Sequence, residues 1–484
     1  MDEWNRGHSR ELIIISPFQK NTRLKKSMKP SLPQGTRDFS ANTVRKRTYI
    51  IDIIKKTFEL YAFEPLETPS LENLQTLMGK YGEEGDKLIF KIINNGLDHP
   101  AKREKIINSF NNILEGKNDK VITERALRYD LTIPFARYMA MNHGNLTMPF
   151  KRYQLQLVWR ADRPQKGRYR EFLQCDADIA GTYSQISDAE LIEIYKDVFK
   201  KLNIDVEIKI NSRKILYALA ETCGCVDKMN GITIAIDKLE KTGIEKVKEE
   251  LSTIGLPGEN IALIENYIHI EGSGEEKLKK VGDLLGTSET GRKGIEELKE
   301  ILSLTQHKNT TQKQNVLIDF TLARGLNYYT GIIYEVKAKH VQMGSIGGGG
   351  RYDNLTGLFG VPDVPGVGIS FGLDRIYDVM EELGLFPEAI SQSIKVLFFN
   401  LGKEESEKAF DLMQQLRHNN ISCELFYENS KLDKQFKYAA KKNIAFAVII
   451  GSEETKGNNC IVKELAKGVQ QTIPMNKLVE FLKD

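Results

Sequence analysis

Cysteine is scarce and scattered in this chain. Cys175, Cys223, Cys225, Cys423 and Cys460 are the full set in 484 residues, an odd number with no C-x-x-C pair. That usage excludes a disulfide scaffold, argues against a structural zinc site and suits a reducing cytosol. Long apolar runs are missing as well. Residues 12–15 form a run of only four, against the ~20 needed to span a bilayer, so nothing points to a membrane. Charge of one sign is also missing: Lys plus Arg number 69 and Asp plus Glu 66, a formal net charge of +3. Net charge of that size does not announce a nucleic-acid partner, which has to be read from local patches.

What is present is ordinary globular composition, with 40% hydrophobic and 28% charged residues, and this excludes collagen-like and disordered classes. At roughly 100–200 residues per domain, the length accommodates three or four domains. Local charge bias shows at the start, where Arg6, Arg10, Lys20, Arg23, Lys25, Lys26 and Lys29 face only Asp2, Glu3 and Glu11. Such a stretch suits a basic arm for RNA, an organelle-targeting leader or a tail ahead of Met28. Residues 1–30 are expected to be a disordered basic extension.

Apolar residues from Val44 to Leu60 recur at helical spacing, and Pro65 and Pro69 then punctuate an extended stretch. The pattern predicts a long helix followed by a strand. Strands are predicted over 121–125, 152–159, 172–179, 316–320 and 332–336, with helices over 187–202 and 376–383. Residues 215–312 are Lys- and Glu-rich with helical periodicity and no recognisable chemistry, so they read as an insertion. Beyond Phe386 and Pro387, strands over 396–400, 422–427 and 445–451 alternate with helices, the second over 432–442. This βαβαβ series marks a separate compact α/β domain.

The densest chemistry lies between Tyr153 and Gly181. A strand ends at Arg160, a polar loop follows with Arg163, Lys166, Arg168 and Arg170, and a second strand starts near Phe172. Arginine offers an anion a planar bidentate fork, so such a loop suits a phosphate clamp; a solvated hairpin tip would carry the same residues. On the second strand, period two puts Phe172, Gln174, Asp176 and Asp178 on one face, polar where a core face would be apolar. Buried carboxylates are costly unless paired, so a bound cationic ligand accounts for this face, as would an exposed edge strand. Asp130 and Thr132 precede a predicted helix over 133–141 and could simply cap it. The glycines of 347–350, with Arg351, Tyr352 and Asp353, read as a glycine-rich turn. Residues 366–375 couple a small-residue strand to a helix that opens with Arg375. Lys431, Lys434, Lys437, Lys441 and Lys442 lie on or beside one helix, with Leu432, Phe436, Ala439 and Ala440 predicted inward.

Taken in order, the helix and strand with Pro69, the strand-loop-strand around Arg160 and the glycine strand leading to Arg375 resemble motifs 1, 2 and 3 of class II aminoacyl-tRNA synthetases. Stretches 322–334 and 347–355 are similar to two peptides peculiar to histidyl-tRNA synthetases. Leu32, Pro33, Gln34, Gly35, Thr36, Arg37, Asp38 and Phe39 match that family's opening, and the resemblance covers residues 31–484. Asn327 departs from it, standing where much of the family has Asp. A synthetase-like regulatory subunit of histidine biosynthesis is the rival from another class. Such a subunit lacks the anticodon-binding domain and loses motif residues, whereas Arg160, Arg375 and residues 394–484 are kept here.

The resemblance implies an α+β catalytic core with an antiparallel sheet flanked by helices, a mostly helical insertion and a C-terminal α/β anticodon-binding domain. Its boundaries would be 31–214 and 313–390 for the core, 215–312 for the insertion and 394–484 for the last domain. It implies ligation of L-histidine to tRNA(His) in two steps in the cytoplasm, with ATP as substrate and Mg2+, by a homodimer that engages neither membrane nor DNA. By position, Arg160 and Arg324 match the catalytic arginines at the α-phosphate, and Arg324 also faces histidine. Arg168 and Arg375 match residues on the ATP phosphates, Phe172 the adenine stack and Asp162 its acidic neighbour. Asp130, Thr132 and Gln174 match residues that hold the histidine amino group. Asp178 and Tyr329, beside Tyr328, match those around its imidazole. Lys434, Lys437 and Lys441 are expected to contact tRNA.

Overall fold

The computed structural model describes residues 29–306, 316–323, 328–391 and 394–483. The basic stretch up to residue 28, and Arg324 and Asn327 with the two residues between them, lie outside the described residues.

Helix α1 (Ala41–Leu60) forms where the periodicity asks for it, with Ser40 capping the Thr43 amide and Ile50, Ile54 and Phe58 buried along one stripe. Helix α2 (Thr132–Asn142) follows the Asp130 segment. The main sheet has eight strands: β1 (Glu64–Pro65), β2 (Phe150–Trp159), β3 (Glu171–Ala180), β4 (Val206–Ser212), β5 (Val316–Ile318), β6 (Ile332–Ala338), β7 (Gly347–Tyr352) and β8 (Gly366–Gly372). They run across the sheet in the order β1-β2-β3-β8-β7-β6-β4-β5. Neighbours are antiparallel except at the edges, where β1 lies parallel to β2 and β5 parallel to β4.

Side-chain alternation divides the two faces of this sheet. Cys175, Ala177 and Ile179 of β3 and Val367, Ile369 and Phe371 of β8 pack into one apolar core. That core is closed by α1, α3 (Gln185–Lys201) and α4 (Leu373–Glu382). Gln174, Asp176, Asp178, Gly368 and Ser370, one residue out of phase, line a cleft on the opposite face. The helices after β4 share the same core: Ile215, Leu219, Val247, Ile264 and Leu298 belong to one cluster with Ile208, Ile210 and Val336. The Lys- and Glu-rich segment therefore extends the core through its apolar stripes.

Two local expectations are corrected. The strand expected over 121–125 is displaced to Arg125–Leu127, because Asp119 Oδ1 accepts the Val121 amide at 2.8 Å and turns the chain there. Glycines 347–350 form strand β7 instead of a turn. A Cβ on Gly349 would lie 2.1 Å from the Gly368 carbonyl oxygen, and one on Gly347 would lie 2.7 Å from the Tyr195 ring. Glycine is needed here for close approach of neighbouring chain, not for turning. Arg351, expected in that turn, is buried and ion-paired with Asp188.

The C-terminal domain holds β9 (Val396–Phe398), β10 (Cys423–Leu425), β11 (Phe446–Ile449), β12 (Asn459–Glu464) and β13 (Val469–Pro474), in the order β10-β9-β11-β12-β13. The first three are parallel, as βαβαβ requires; β12 and β13 add an antiparallel hairpin that sequence periodicity missed. Its outer strand is exposed almost throughout and so carries no apolar alternation to read. Helix α5 (Leu432–Lys441) buries Gln435 and Ala439, whereas Leu432 and Ala440, expected inward, are exposed. Gln435 is satisfied inside by donating to the Asn400 and Ser430 carbonyls, each at 2.8 Å. All five cysteines are buried and free, Cys175 among them, as a small core residue.

Candidate active site

The open face of the main sheet holds a cleft of about 390 Å³. β3, β8 and β7 form its floor, and residues of the 160–170 loop line one end. Arg160, at the root of that loop, donates through Nε to the Tyr129 carbonyl at 3.0 Å and through Nη2 to Gln174 Oε1 at 3.4 Å. Its guanidinium lies 4.3 Å from the Tyr129 ring centroid and 5.2 Å from that of Phe172. Held by its edges and flanked by rings, it is a preorganised cation. Arg375, in the first turn of α4, donates to the Gly167 carbonyl at 3.0 Å and to the Ser345 carbonyl at 2.6 Å, tying the loop to β7 and α4. Arg168 and Asp162 face each other across the loop at 3.6 Å, with Arg168 half exposed.

The other end of the cleft is acidic and phenolic. Asp130 does cap α2, accepting the Ile133 amide at 3.2 Å, and it also accepts the hydroxyls of Tyr81 at 3.0 Å and Tyr328 at 3.3 Å. Thr132 and Tyr329 line the same wall. Gln174 donates to Ser370 at 3.0 Å and to Asp176 at 3.3 Å. A bound cationic ligand or an exposed edge strand was expected to account for this polar face, but at Asp178 the charge is met from within the chain. Fully buried Arg152 approaches Asp178 Oδ2 at 2.7 Å, and the Tyr352 hydroxyl donates to Oδ1 at 2.6 Å. Both partners were missed. Arg152 was findable, since hairpin register sets it directly opposite Asp178. Tyr352 was not, because its approach depends on the order β3-β8-β7.

Burial raises the carboxyls of Asp130, Asp176 and Asp178 above their ordinary range. For Asp176, burial pushes the carboxyl up to about 7, against the pull of Arg152 and with Asp178 and Asp130 adding to the rise. The folded state thus keeps a proton on Asp176 that the unfolded chain has lost above its ordinary value of 3.8. This group makes the fold progressively less stable as pH rises from about 4 to about 7, with no further change above. In Asp176→Asn the melting temperature relative to wild type is expected to climb across that window and then level off. A difference that stays flat from pH 4 to 8 would place the Asp176 proton elsewhere.

Among the described residues, no group of three or more His, Cys, Asp or Glu side chains is arranged to hold a metal ion, and no helix is long and apolar enough to cross a membrane. Of the residues singled out in the sequence, Asp130, Thr132, Arg160, Asp162, Arg168, Phe172 and Gln174 all line this one cleft, with Asp178, Tyr328, Tyr329 and Arg375. Lys434, Lys437 and Lys441 are exposed on α5 in the C-terminal domain, Lys434 within 3.4 Å of Glu428.

A mainly antiparallel sheet with helices on one face and an arginine-clamped cleft on the other defines a class II aminoacyl-tRNA synthetase. The family model for histidyl-tRNA synthetase matches residues 118–376, and that for the anticodon binding domain matches residues 395–484. The histidine--tRNA ligases of Christiangramia forsetii and Flavobacterium johnsoniae are each 49% identical to this chain, over 459 and 472 residues. Each alignment covers 94% of this chain, with 100% of the first relative and 99% of the second. The crystal structure of histidyl-tRNA synthetase from Nostoc sp. PCC 7120 superposes with a TM-score of 0.77 at 32% identity, covering 94% of this chain and 99% of that one. This chain belongs to the histidyl-tRNA synthetase family.

Proposed function

We propose that the cleft of the main sheet is where this chain joins histidine to ATP before passing it to tRNA(His). Aminoacylation of tRNA(His) for protein synthesis is the activity its family membership carries. The observation that supports this site is convergence: cationic residues from the 160–170 loop and α4 meet acidic and phenolic residues from the Asp130 segment, β3 and residues 328–329 in one cavity. A cationic end suits the triphosphate, and an acidic end suits the histidine amino group and ring.

In the first step a histidine carboxylate oxygen attacks the α-phosphorus, and pyrophosphate leaves with the electron pair of the broken P–O bond. Arg160 neutralises the spreading negative charge, a duty that the family resemblance also gives to Arg324. Arg168 and Arg375 hold the outer phosphates, Phe172 stacks on adenine and Asp162 stands beside it. Mg2+ accompanies ATP as the counterion of its phosphates. Asp130, Thr132 and Gln174 take the ammonium group, with Tyr328 orienting Asp130. Asp178 and Tyr329 bracket the imidazole, whose one donor and one acceptor they can satisfy together. Arg152 and Tyr352 occupy part of Asp178, and a carboxylate with about four lone-pair sites has capacity left for the ring. A ligand lacking those groups leaves buried polar atoms unpaired and is rejected by about 10⁴-fold or more. In the second step the terminal ribose hydroxyl of the tRNA attacks the adenylate carbonyl and AMP leaves.

We assign residues 31–214 and 313–390 to catalysis, 215–312 to the helical insertion and 394–484 to the anticodon. A homodimer joined through α1 and the segment with Pro69, which lies between strands rather than in one, and working in the cytoplasm, completes the reading. Its test is amino-acid-dependent exchange of pyrophosphate into ATP, run with magnesium across the twenty amino acids. Exchange with histidine alone is expected; exchange with another amino acid would refute the pocket assignment. Because the α5 lysines are assigned to tRNA phosphates, neutral replacement of Lys434, Lys437 and Lys441 together should leave exchange intact. The same variant should weaken tRNA charging, with a shallower salt dependence. Equal loss of both activities would contradict the assignment.

A further inference from the structure

Ahead of α1, the chain crosses the outside of the cleft as a short strap. Thr36 donates to the Pro33 carbonyl through both its amide, at 3.2 Å, and its hydroxyl, at 2.8 Å. Gly35 supplies the positive φ of +83° that this turn needs. The strap is fastened to the 160–170 loop, since the Arg170 amide donates to the Gly35 carbonyl at 3.0 Å. A Cβ on Gly35 would lie 2.8 Å from the Arg170 side chain, so the two chains touch without room for more.

Two residues further on, Arg37 does two things at once. Its Nη2 donates to Asp374 Oδ1 at 2.6 Å, next to Arg375 at the start of α4. Its guanidinium carbon also sits over the Tyr169 ring, 3.2 Å from the centroid, and Tyr169 lines the cleft from the loop. Phe39 backs the same cation at 4.9 Å and that of Arg47 on α1 at 4.2 Å. Arg47 also pairs with Asp374 Oδ1, so this buried carboxylate carries two arginines. Removing Arg37 would leave Asp374 paired, which separates the duty of Arg37 from simple neutralisation of a buried charge.

We propose that Arg37 is a positioning residue for ATP: by bridging Tyr169 and Asp374 it holds the 160–170 loop against α4, so that Arg168 and Arg375 meet the triphosphate in one geometry. The inference rests on the assignment of that loop and of Arg375 to ATP. Arg37 touches neither Asp130 nor Asp178 at the histidine end, so its loss acts on one substrate. Preorganisation of this kind is lost as a higher KM for the ligand whose contacts must be ordered on binding.

The experiment is pyrophosphate exchange by the full chain with ATP and histidine varied separately. In Arg37→Ala, KM for ATP should rise by about tenfold, KM for histidine should stay within about twofold, and the melting temperature should hold near wild type. Arg37→Lys keeps a cation for Asp374 but loses the guanidinium over Tyr169, so it should recover only part of the ATP affinity. Tyr169→Ala should reproduce the effect, and Arg37→Ala with Tyr169→Ala should be no worse than the stronger single variant, because both remove one coupled contact. Equal rises in both KM values, an unchanged KM for ATP, or additive single effects would each overturn the proposal. Arg375→Ala serves as the reference: if it leaves KM for ATP unchanged, the underlying ATP assignment fails, whatever Arg37 does.

Discussion

Arg160→Ala is expected to slow histidyl-adenylate formation by about 10²- to 10³-fold, with a much smaller loss of histidine binding. The expectation comes from how the guanidinium is held. Its Nε and one Nη are spent on the Tyr129 carbonyl and the Gln174 side chain, and the Tyr129 and Phe172 rings flank it. Charge delivered from such a fixed group meets the transition state without reorganising, which is where most electrostatic catalysis arises. Arg160→Lys should restore little, because an ammonium cannot occupy the planar slot and reach a phosphate at once. Single-turnover adenylation at saturating ATP and histidine measures the effect directly. A rate near that of wild type would remove Arg160 from the reacting centre and leave it as a support for Gln174.

Asp178→Ala is expected to destabilise the fold by about 3–5 kcal/mol, the cost of leaving a buried cation without its partner. Arg152 and Asp178 have side chains 0% and 3% exposed, so water cannot replace the lost charge. The Tyr352 hydroxyl loses its acceptor at the same time. Replacing both Arg152 and Asp178 by apolar residues of similar volume should recover most of that stability while histidine-dependent exchange stays absent. Chemical denaturation of wild type, single and double variants, with exchange measured on each, separates the two duties of Asp178. If the double variant exchanged pyrophosphate with histidine, the carboxylate would have no part in amino-acid recognition. If Asp178→Ala alone were as stable as wild type, the remaining neighbours of Arg152, the Gln154 side chain and the Leu131 carbonyl with Asp176 nearby, would suffice to hold its charge.

The split between support and chemistry runs through the whole cleft. Loop residues Arg168 and Asp162 keep contact with solvent. Asp176 and Asp178 on β3 line the cleft but are buried, and their carboxyls are raised by burial and restrained by neighbouring donors. A polar pocket that must refuse close analogues needs its groups fixed before the ligand arrives.

Much of the site was legible because the relevant signals are local. Period two along β3 already separates Gln174, Asp176 and Asp178 from Cys175, Ala177 and Ile179, and the structure sends these sets to the cleft and the core. The cation-rich loop between two strands was visible as charge density, whereas the helix expected from 187 starts at Gln185, where Ser184 caps it. The failures were non-local or polar. The glycines of β7 look like a turn until β8 and Tyr195 are seen crowding them. Gln435 looks like a surface residue until Asn400 is found across from it. The exposed strand Val469–Pro474 has no apolar face to betray it.

By itself, then, the sequence determined which residues are chemically capable, which of them share one face of β3, and the order of motifs that marks a histidyl-tRNA synthetase. Tertiary structure alone decided which capable residues are already engaged. Tyr352 donates to Asp178, Arg351 pairs with Asp188, and Arg37 joins Tyr169 to Asp374. The physical reason is range. Alternation, capping and charge density are set by residues a few positions apart, whereas an ion pair across a sheet depends on strand order and register. Those are settled by burying one apolar face for the whole sheet at once.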